Sequence, residues 1–265
     1  MLDTLFHQAA SLHSTTPQTK LRVIAVASHE HASDGLETLW QICAHLQRMG
    51  YPVVVLDGTA RECDDSPGLM HLLTQHTWAP DEPTASGAGS ALAVLPAGIG
   101  LGYLARENQD TQTSALQALY AHFRAYAVVV VYAPAETLGG LLMQTDTVPL
   151  VMLRPSPEGV LSAYKSLKHI ALSAGLTCTV ATMVHGSTKI KRQKAEDALQ
   201  ALHECASRHL GNGARGTMVQ TNNPQDLQRL ALHLLENAGT ISEVPSSLGL
   251  STAQRLSNAY LVRSH

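Results

Sequence analysis

Apolar runs and amphipathic stretches alternate along most of the chain. Seven runs read as strands: Arg22–Ala27, Pro52–Leu56, Ala91–Leu95, Ala127–Tyr132, Val148–Leu153, Thr177–Met183 and Gly216–Gln220. The first, fourth and fifth are nearly unbroken in Val, Ile, Leu and Ala, which predicts strands buried on both faces of a parallel sheet. Between the runs lie helical patterns. Leu36, Leu39, Trp40, Cys43, Leu46 and Met49 fall on one stripe. Leu161, Tyr164, Leu167, Lys168 and Ala171 form a second, and Leu227, Leu230, Leu234 and Leu235 a third. Lys191–His209 is more polar and predicts a surface helix. Strand–helix alternation of this kind implies an α/β fold: a doubly wound, mostly parallel sheet flanked by helices, with right-handed crossovers.

The pattern divides the chain into an N-terminal segment 1–21, an α/β domain 22–238 and a weakly patterned tail 239–265. The N-terminal segment holds one helix-like piece, Leu2–Leu12. Ala79–Ser90 is rich in Pro, Ser and Gly and reads as a loop, because the alternation resumes after it. Gly98–Gly102 (GIGLG) reads as a tight turn.

Composition narrows the class. With 45% hydrophobic and 15% charged residues the chain has ample material for a core. A net charge of −3 argues against broad affinity for nucleic acid or anionic lipid. The four cysteines lie far apart and form no C-x-x-C pair, so reduced thiols are expected. The N-terminus lacks the basic flank and apolar core of a signal peptide. The longest apolar run, Ala125–Ala135, is too short to span a bilayer. These features predict a cytoplasmic protein without membrane insertion. The basic cluster Lys189, Lys191, Arg192 and Lys194 reads as a solvated face.

The candidate chemistry lies after the first strand. A strand, a turn and a helix opening near Gly35 make the frame of a phosphate-binding loop. Such a loop needs glycines that aim backbone N–H groups at phosphate, a lysine, and a hydroxyl residue for magnesium. This turn reads His29, Glu30, His31, Ala32, Ser33, Asp34, Gly35, Leu36. It has no lysine, and its carboxylates oppose a polyphosphate. Asp34 and Glu37 have the spacing of a capping box, which would satisfy the helix N-terminus internally. A rival reading makes His29 and His31, with Glu30 or Asp34, a metal site. The 14 histidines are scattered and H-E-x-x-H spacing is missing, so a solvent-facing turn is the better reading and no metal is expected.

Several stretches together carry a resemblance. "RVIAVAS", "MGYPVVVLDG", "LAVLPAGIGLGYLAR", "AYAVVVVYAPAE" and above all "VPLVMLRPSPEGVLSAYKSLKHI" resemble successive segments of the MinD/ParA family of deviant P-loop ATPases. Within that family the chain is most similar to the FlhG (FleN) regulators of flagellar number. The similarity runs from about Gln8 to Asn237. Upstream, "HQAASLH" resembles the segment through which FlhG proteins engage their GTPase partner FlhF, with Gln8, Ala9 and Leu12 matching and His7 and His13 replacing its charged ends.

The departures fall on the chemistry. Glu30 stands where the family has its signature lysine, Gly35 where a lysine cradles the β- and γ-phosphates, and Leu36 where a Ser or Thr holds magnesium. The second strand keeps one aspartate, Asp57. Tyr132 replaces the magnesium-organising aspartate, and Thr182 the asparagine that meets adenine. Together these losses remove the electrostatic elements of phosphoryl transfer. The expectation is a FlhG-like pseudo-ATPase with no catalytic residue and no bound ATP or Mg. It would act on a protein partner, an FlhF-like GTPase or a flagellar basal-body component, through Gln8, Ala9 and Leu12. Two alternatives are a weak MinD/ParA-type ATPase and an accessory protein of another surface apparatus, such as cellulose synthesis or a pilus. The fold alone does not separate these.

Overall fold

Two largely apolar runs form the centre of the sheet. β1 (Lys20–Ala27) and β4 (Val128–Ala133) pair in parallel from Arg22 with Val128 to Ala27 with Ala133. Every residue of β4 is buried. The computed structural model describes residues 20–28, 33–63, 65–74, 92–110, 114–184, 186, 188–211 and 214–242. The expectations for Leu2–Leu12, for Gln8, Ala9 and Leu12, for His29–Ala32, for Ala79–Ser90 and for 243–265 lie outside these residues.

The remaining parallel strands are β2 (Val53–Asp57), β3 (Ala93–Pro96), β5 (Leu150–Leu153), β6 (Thr179–Val184) and β7 (Arg215–Gln220). They stand in the order β3-β2-β4-β1-β5-β6-β7. All seven runs read from the sequence are strands. An eighth, β8 (Gly239–Ser242), pairs antiparallel with the first half of β1. The sheet therefore takes in Lys20 to Ser242, and the weakly patterned tail contributes its first four residues to it. The pattern misses β8 because it is short and only Ile241 is buried.

Eight helices connect the strands among the described residues: α1 (Ser33–Arg48), α2 (Leu69–Thr74), α3 (Gly98–Asp110), α4 (Gln117–Phe123), α5 (Ala135–Leu141), α6 (Pro157–Ala174), α7 (Lys189–Leu210) and α8 (Pro224–Glu236). Successive strand residues face opposite sides, and this makes two cores. Ile24, Val26, Val53, Val55, Val128, Val130 and Tyr132 pack under α1 and α8. Val23, Ala25, Val54, Leu56, Val129 and Val131 pack under α2 to α7. Each such valine contributes about 1.5–3 kcal/mol on full burial, so the central strands carry more of the stability than half-exposed β7.

Local signals set the helix ends. Ser156 caps α6, its hydroxyl accepting from Gly159 N at 3.1 Å, and Pro157 opens the helix. A side chain at Gly159 would lie 2.3 Å from the Arg154 carbonyl, so this entry tolerates only glycine. Asn223 and Pro224 repeat the arrangement at α8.

Three readings are corrected. Gly98–Gly102 is the first turn of α3, not a tight turn. On α1, Trp40 is 40% exposed, while Thr38 and Ile42 join Leu39, Cys43 and Leu46 inside. On α6, Leu161 is 56% exposed and Lys168 is exposed, whereas Ala163, Ser166, Leu167 and Ile170 are buried. Small residues hold part of the buried stripe of α6, and periodicity weighted by size misses them. The stripe of α8 and the polar exterior of α7 stand as read; α7 buries only Ala195, Ala198, Leu202 and Ala206.

Candidate functional site

The carboxyl ends of β1, β4 and β2 form the floor on which a ligand sits in open α/β sheets. Backbone bonds tie these ends together. Ser28 donates its N–H to Ala133 O at 2.9 Å, and Gly58 to Tyr132 O at 2.7 Å. α1 opens above them at Ser33. Asp34 therefore stands inside the first turn, two positions later than the capping box requires. Glu37 is exposed. Of the loop residues His29, Glu30, His31, Ala32, Ser33, Asp34, Gly35 and Leu36, the described side chains are those from Gly35 on.

Gly35 lies directly on Tyr132. A Cβ at Gly35 would stand 3.4 Å from the Tyr132 hydroxyl oxygen and 3.5 Å from Met152 Cε. Tyr132 is 1% exposed, so its ring fills the space between the end of β4 and the first turn of α1. Burial pushes its phenol up to about 12, with the charge of Asp57 a second cause. The group is therefore a neutral phenol across the physiological range. Leu36 packs on the apolar core beneath α1 and α8.

Asp57 closes β2. Its Oδ1 accepts from Thr59 N at 2.9 Å and from the Thr59 hydroxyl at 2.6 Å. The carboxylate thereby caps the turn that follows the strand. Thr182 is fully buried inside β6, opposite Leu153 and Met218, two residues short of the strand end. Its hydroxyl faces the interior and has no hydrogen-bond partner among the described residues. The structure thus brings Gly35, Leu36, Tyr132 and Asp57 together and leaves Thr182 apart from them.

One carboxylate at this edge has no sequence signal. Glu62 is 7% exposed. Its Oε2 accepts from Met70 N at 2.8 Å and its Oε1 from Gly100 N at 2.9 Å. One side chain so satisfies the N-termini of both α2 and α3. A Cβ at Gly100 would stand 2.8 Å from Leu69, so the close approach of the two helices requires glycine there. Only the tertiary approach of two helices separated in sequence reveals the role. No group of three or more metal-ligating side chains occurs among the described residues. No described helix is long and apolar enough to cross a membrane.

The architecture defines a class before any relative is considered: a doubly wound α/β sheet whose central strand β1 is followed by helix α1. No family model matches the chain, and no curated protein matches it in sequence. Solved structures do. A chain of the MinC:MinD cell division protein complex of Aquifex aeolicus superposes with a TM-score of 0.55 at 12% identity, over 84% of this chain and 97% of that one. MinD of the same organism gives 0.49 at 14%, over 84% and 98%. A plasmid partition protein from Borrelia burgdorferi gives 0.49 at 13%, over 82% and 96%. At these identities the likeness is one of fold, and the first of the three carries it. The chain shares the fold of that chain of the MinC:MinD complex, a doubly wound, mostly parallel sheet flanked by helices.

Proposed function

We propose that this chain is a MinD-fold pseudo-ATPase that works by binding another protein, in the manner of a FlhG-like regulator of flagellar biogenesis. The observation that carries the reading is the seat of Tyr132. The family places a magnesium-organising aspartate at this position. Here a buried neutral phenol fills it and abuts the first turn of α1. Magnesium takes hard oxygen ligands in an octahedral shell. Tyr132, Leu36 and a turn-bound Asp57 do not fit a magnesium–phosphate group. The lysine-free, acidic sequence of residues 29–37 supports the same conclusion. No step of phosphoryl transfer is derived for this chain.

The flagellar part rests on Gln8, Ala9 and Leu12 and on the resemblance of the whole chain to FlhG proteins. His7 and His13 replace charged ends, and a mostly neutral histidine does not reproduce an arginine contact at pH 7. An FlhF-like GTPase would accordingly be bound without the usual activation.

Titration calorimetry with Mg-ATP and Mg-ADP is the test, with GTP turnover by the cognate FlhF as its second arm. The expected result is no heat of nucleotide binding, and FlhF bound without stimulation. Micromolar nucleotide affinity would overturn the pseudo-ATPase reading. Failure to bind FlhF would overturn the flagellar one.

A further inference from the structure

The three most exposed large apolar side chains among the described residues lie on two neighbouring helices. Leu161 and Leu172 on α6 are 56% and 74% exposed, and Ile190 in the first turn of α7 is 66% exposed. On α6 the exposed positions Leu161, Lys165, Lys168 and Leu172 follow one another at steps of four, three and four, so they share one face. That face lies away from the buried Ala163, Leu167 and Ile170. Around Ile190 stand Lys189, Lys191, Arg192 and Lys194, all exposed.

The two helices present these side chains on one surface. Both cover the same core, α6 with Ala163, Leu167 and Ile170 and α7 with Ala198, Leu202 and Ala206. They pack side by side, with Tyr164 of α6 against His209 of α7 at 6.2 Å between ring centres. They follow β5 and β6, which are paired parallel strands, so both helices start at the same edge of the sheet. Lys and Arg outnumber Asp and Glu on this pair of helices, although the whole chain carries −3. The acids of α7 are engaged along their own helix: Glu196 by Arg192 at 3.1 Å, Asp197 by Gln193 at 2.9 Å and Glu204 by Gln200 at 2.8 Å. Lys165, Lys168, Lys189 and Lys194 form no ion pair with a described residue. At the start of α7 the cations also oppose the helix dipole, and neither an acidic residue in the first turn nor a bond from the Thr188 side chain offsets them.

We propose that the outer face of α6 and the start of α7 dock on the anionic surface of a lipid bilayer. Leu161, Leu172 and Ile190 enter the boundary of the acyl layer, and the lysines stay at headgroup level. Composition favours lipid over protein as the occupant. Protein interfaces are enriched in aromatic residues, Met and Arg and depleted in Lys. This face has aliphatic residues without an aromatic one among them, and every cation on it except Arg192 is a lysine. Aliphatic side chains that protrude singly need no shaped pocket in a fluid layer, and lysine stems lie along it while their ammonium groups remain in water. Each lysine near an anionic bilayer strengthens binding about fivefold. The contact is peripheral, as no described helix is long and apolar enough to cross a membrane.

Co-sedimentation of the full chain with vesicles tests this, using phosphatidylcholine alone and an equal mixture with phosphatidylglycerol, at low and high salt. The chain is expected to pellet with the mixed vesicles at low salt, to stay in solution with phosphatidylcholine, and to be released by salt. Lys165→Gln with Lys168→Gln lowers the partition coefficient about 25-fold. Leu161→Ser with Leu172→Ser lowers it about tenfold or more. These four positions are exposed, so circular dichroism stays that of wild type. Leu232→Ser, an exposed leucine on α8 across the sheet, is the control and keeps the wild-type partition. A wild-type chain that ignores the mixed vesicles overturns the proposal and leaves the face to a protein partner. Binding that survives both double substitutions unchanged overturns it equally, because another part of the chain then holds the lipid.

Discussion

Glu62 offers a sharp test of how the carboxyl edge is held. Its two oxygens each take one N–H, from Met70 at 2.8 Å and Gly100 at 2.9 Å, at the starts of two different helices. Hydrogen bonds to a charged acceptor are worth about 1.5–3 kcal/mol each, and an orphaned buried donor costs about 1–3 kcal/mol. A carboxylate at a helix N-terminus adds about 0.3–1 kcal/mol per terminus. Glu62→Ala leaves both donors unsatisfied in a site only 7% exposed, so the expected loss is about 3–5 kcal/mol. Glu62→Gln keeps one acceptor and turns an amide N–H₂ toward the second donor, so about 1.5–3 kcal/mol is expected. For a chain of this size that is a fall in Tm of roughly 4–10 °C. Urea unfolding followed by circular dichroism measures both. Glu37→Ala, an exposed carboxylate on α1, is the control and should stay within about 0.5 kcal/mol of wild type. If Glu62→Ala also stays within that margin, the carboxylate does not join the two helices and the reasoning is wrong.

Two further outcomes follow from buried titratable groups. Burial first and the charge of Asp57 second push the Tyr132 phenol up to about 12 in the folded chain, against about 10 when unfolded. Its contribution is therefore complete below pH 10 and is lost as pH rises toward 12. Between pH 9.5 and 11.5 wild type should lose about 1–2 kcal/mol more stability than Tyr132→Phe, and parallel pH profiles would refute the assignment. Cys43 and Cys178 are buried with thiols pushed up to about 12, whereas Cys63 and Cys205 are exposed. A thiol reagent should modify the latter two in the folded protein and all four in denaturant, and fast labelling of Cys43 or Cys178 would contradict the packing.

The sequence determined the parallel strands and hence the class of fold. A strand covered on both faces must be apolar at nearly every position, and that requirement is visible in β1, β4 and β5 without any neighbour. The caps at Ser156 and Asn223 are local in the same sense, because a cap is made by residues within three positions of one another. The sequence also showed that no lysine remains in residues 29–37. What it did not hold is whatever depends on approach between distant segments. The strand β8 is four residues that make sense only beside β1. The buried stripe of α6 runs through the small Ala163 and Ser166, not the larger Leu161. GIGLG opens a helix because Glu62, nearly forty residues earlier, receives its first turn. Tyr132 reads as one more apolar residue of a strand; that its ring abuts Gly35 is decided by the register of β4 against β1 and by where α1 lands above them. Local chemistry is written in order along the chain, whereas these contacts arise from the packing of elements on a sheet whose strand order differs from the order of the sequence.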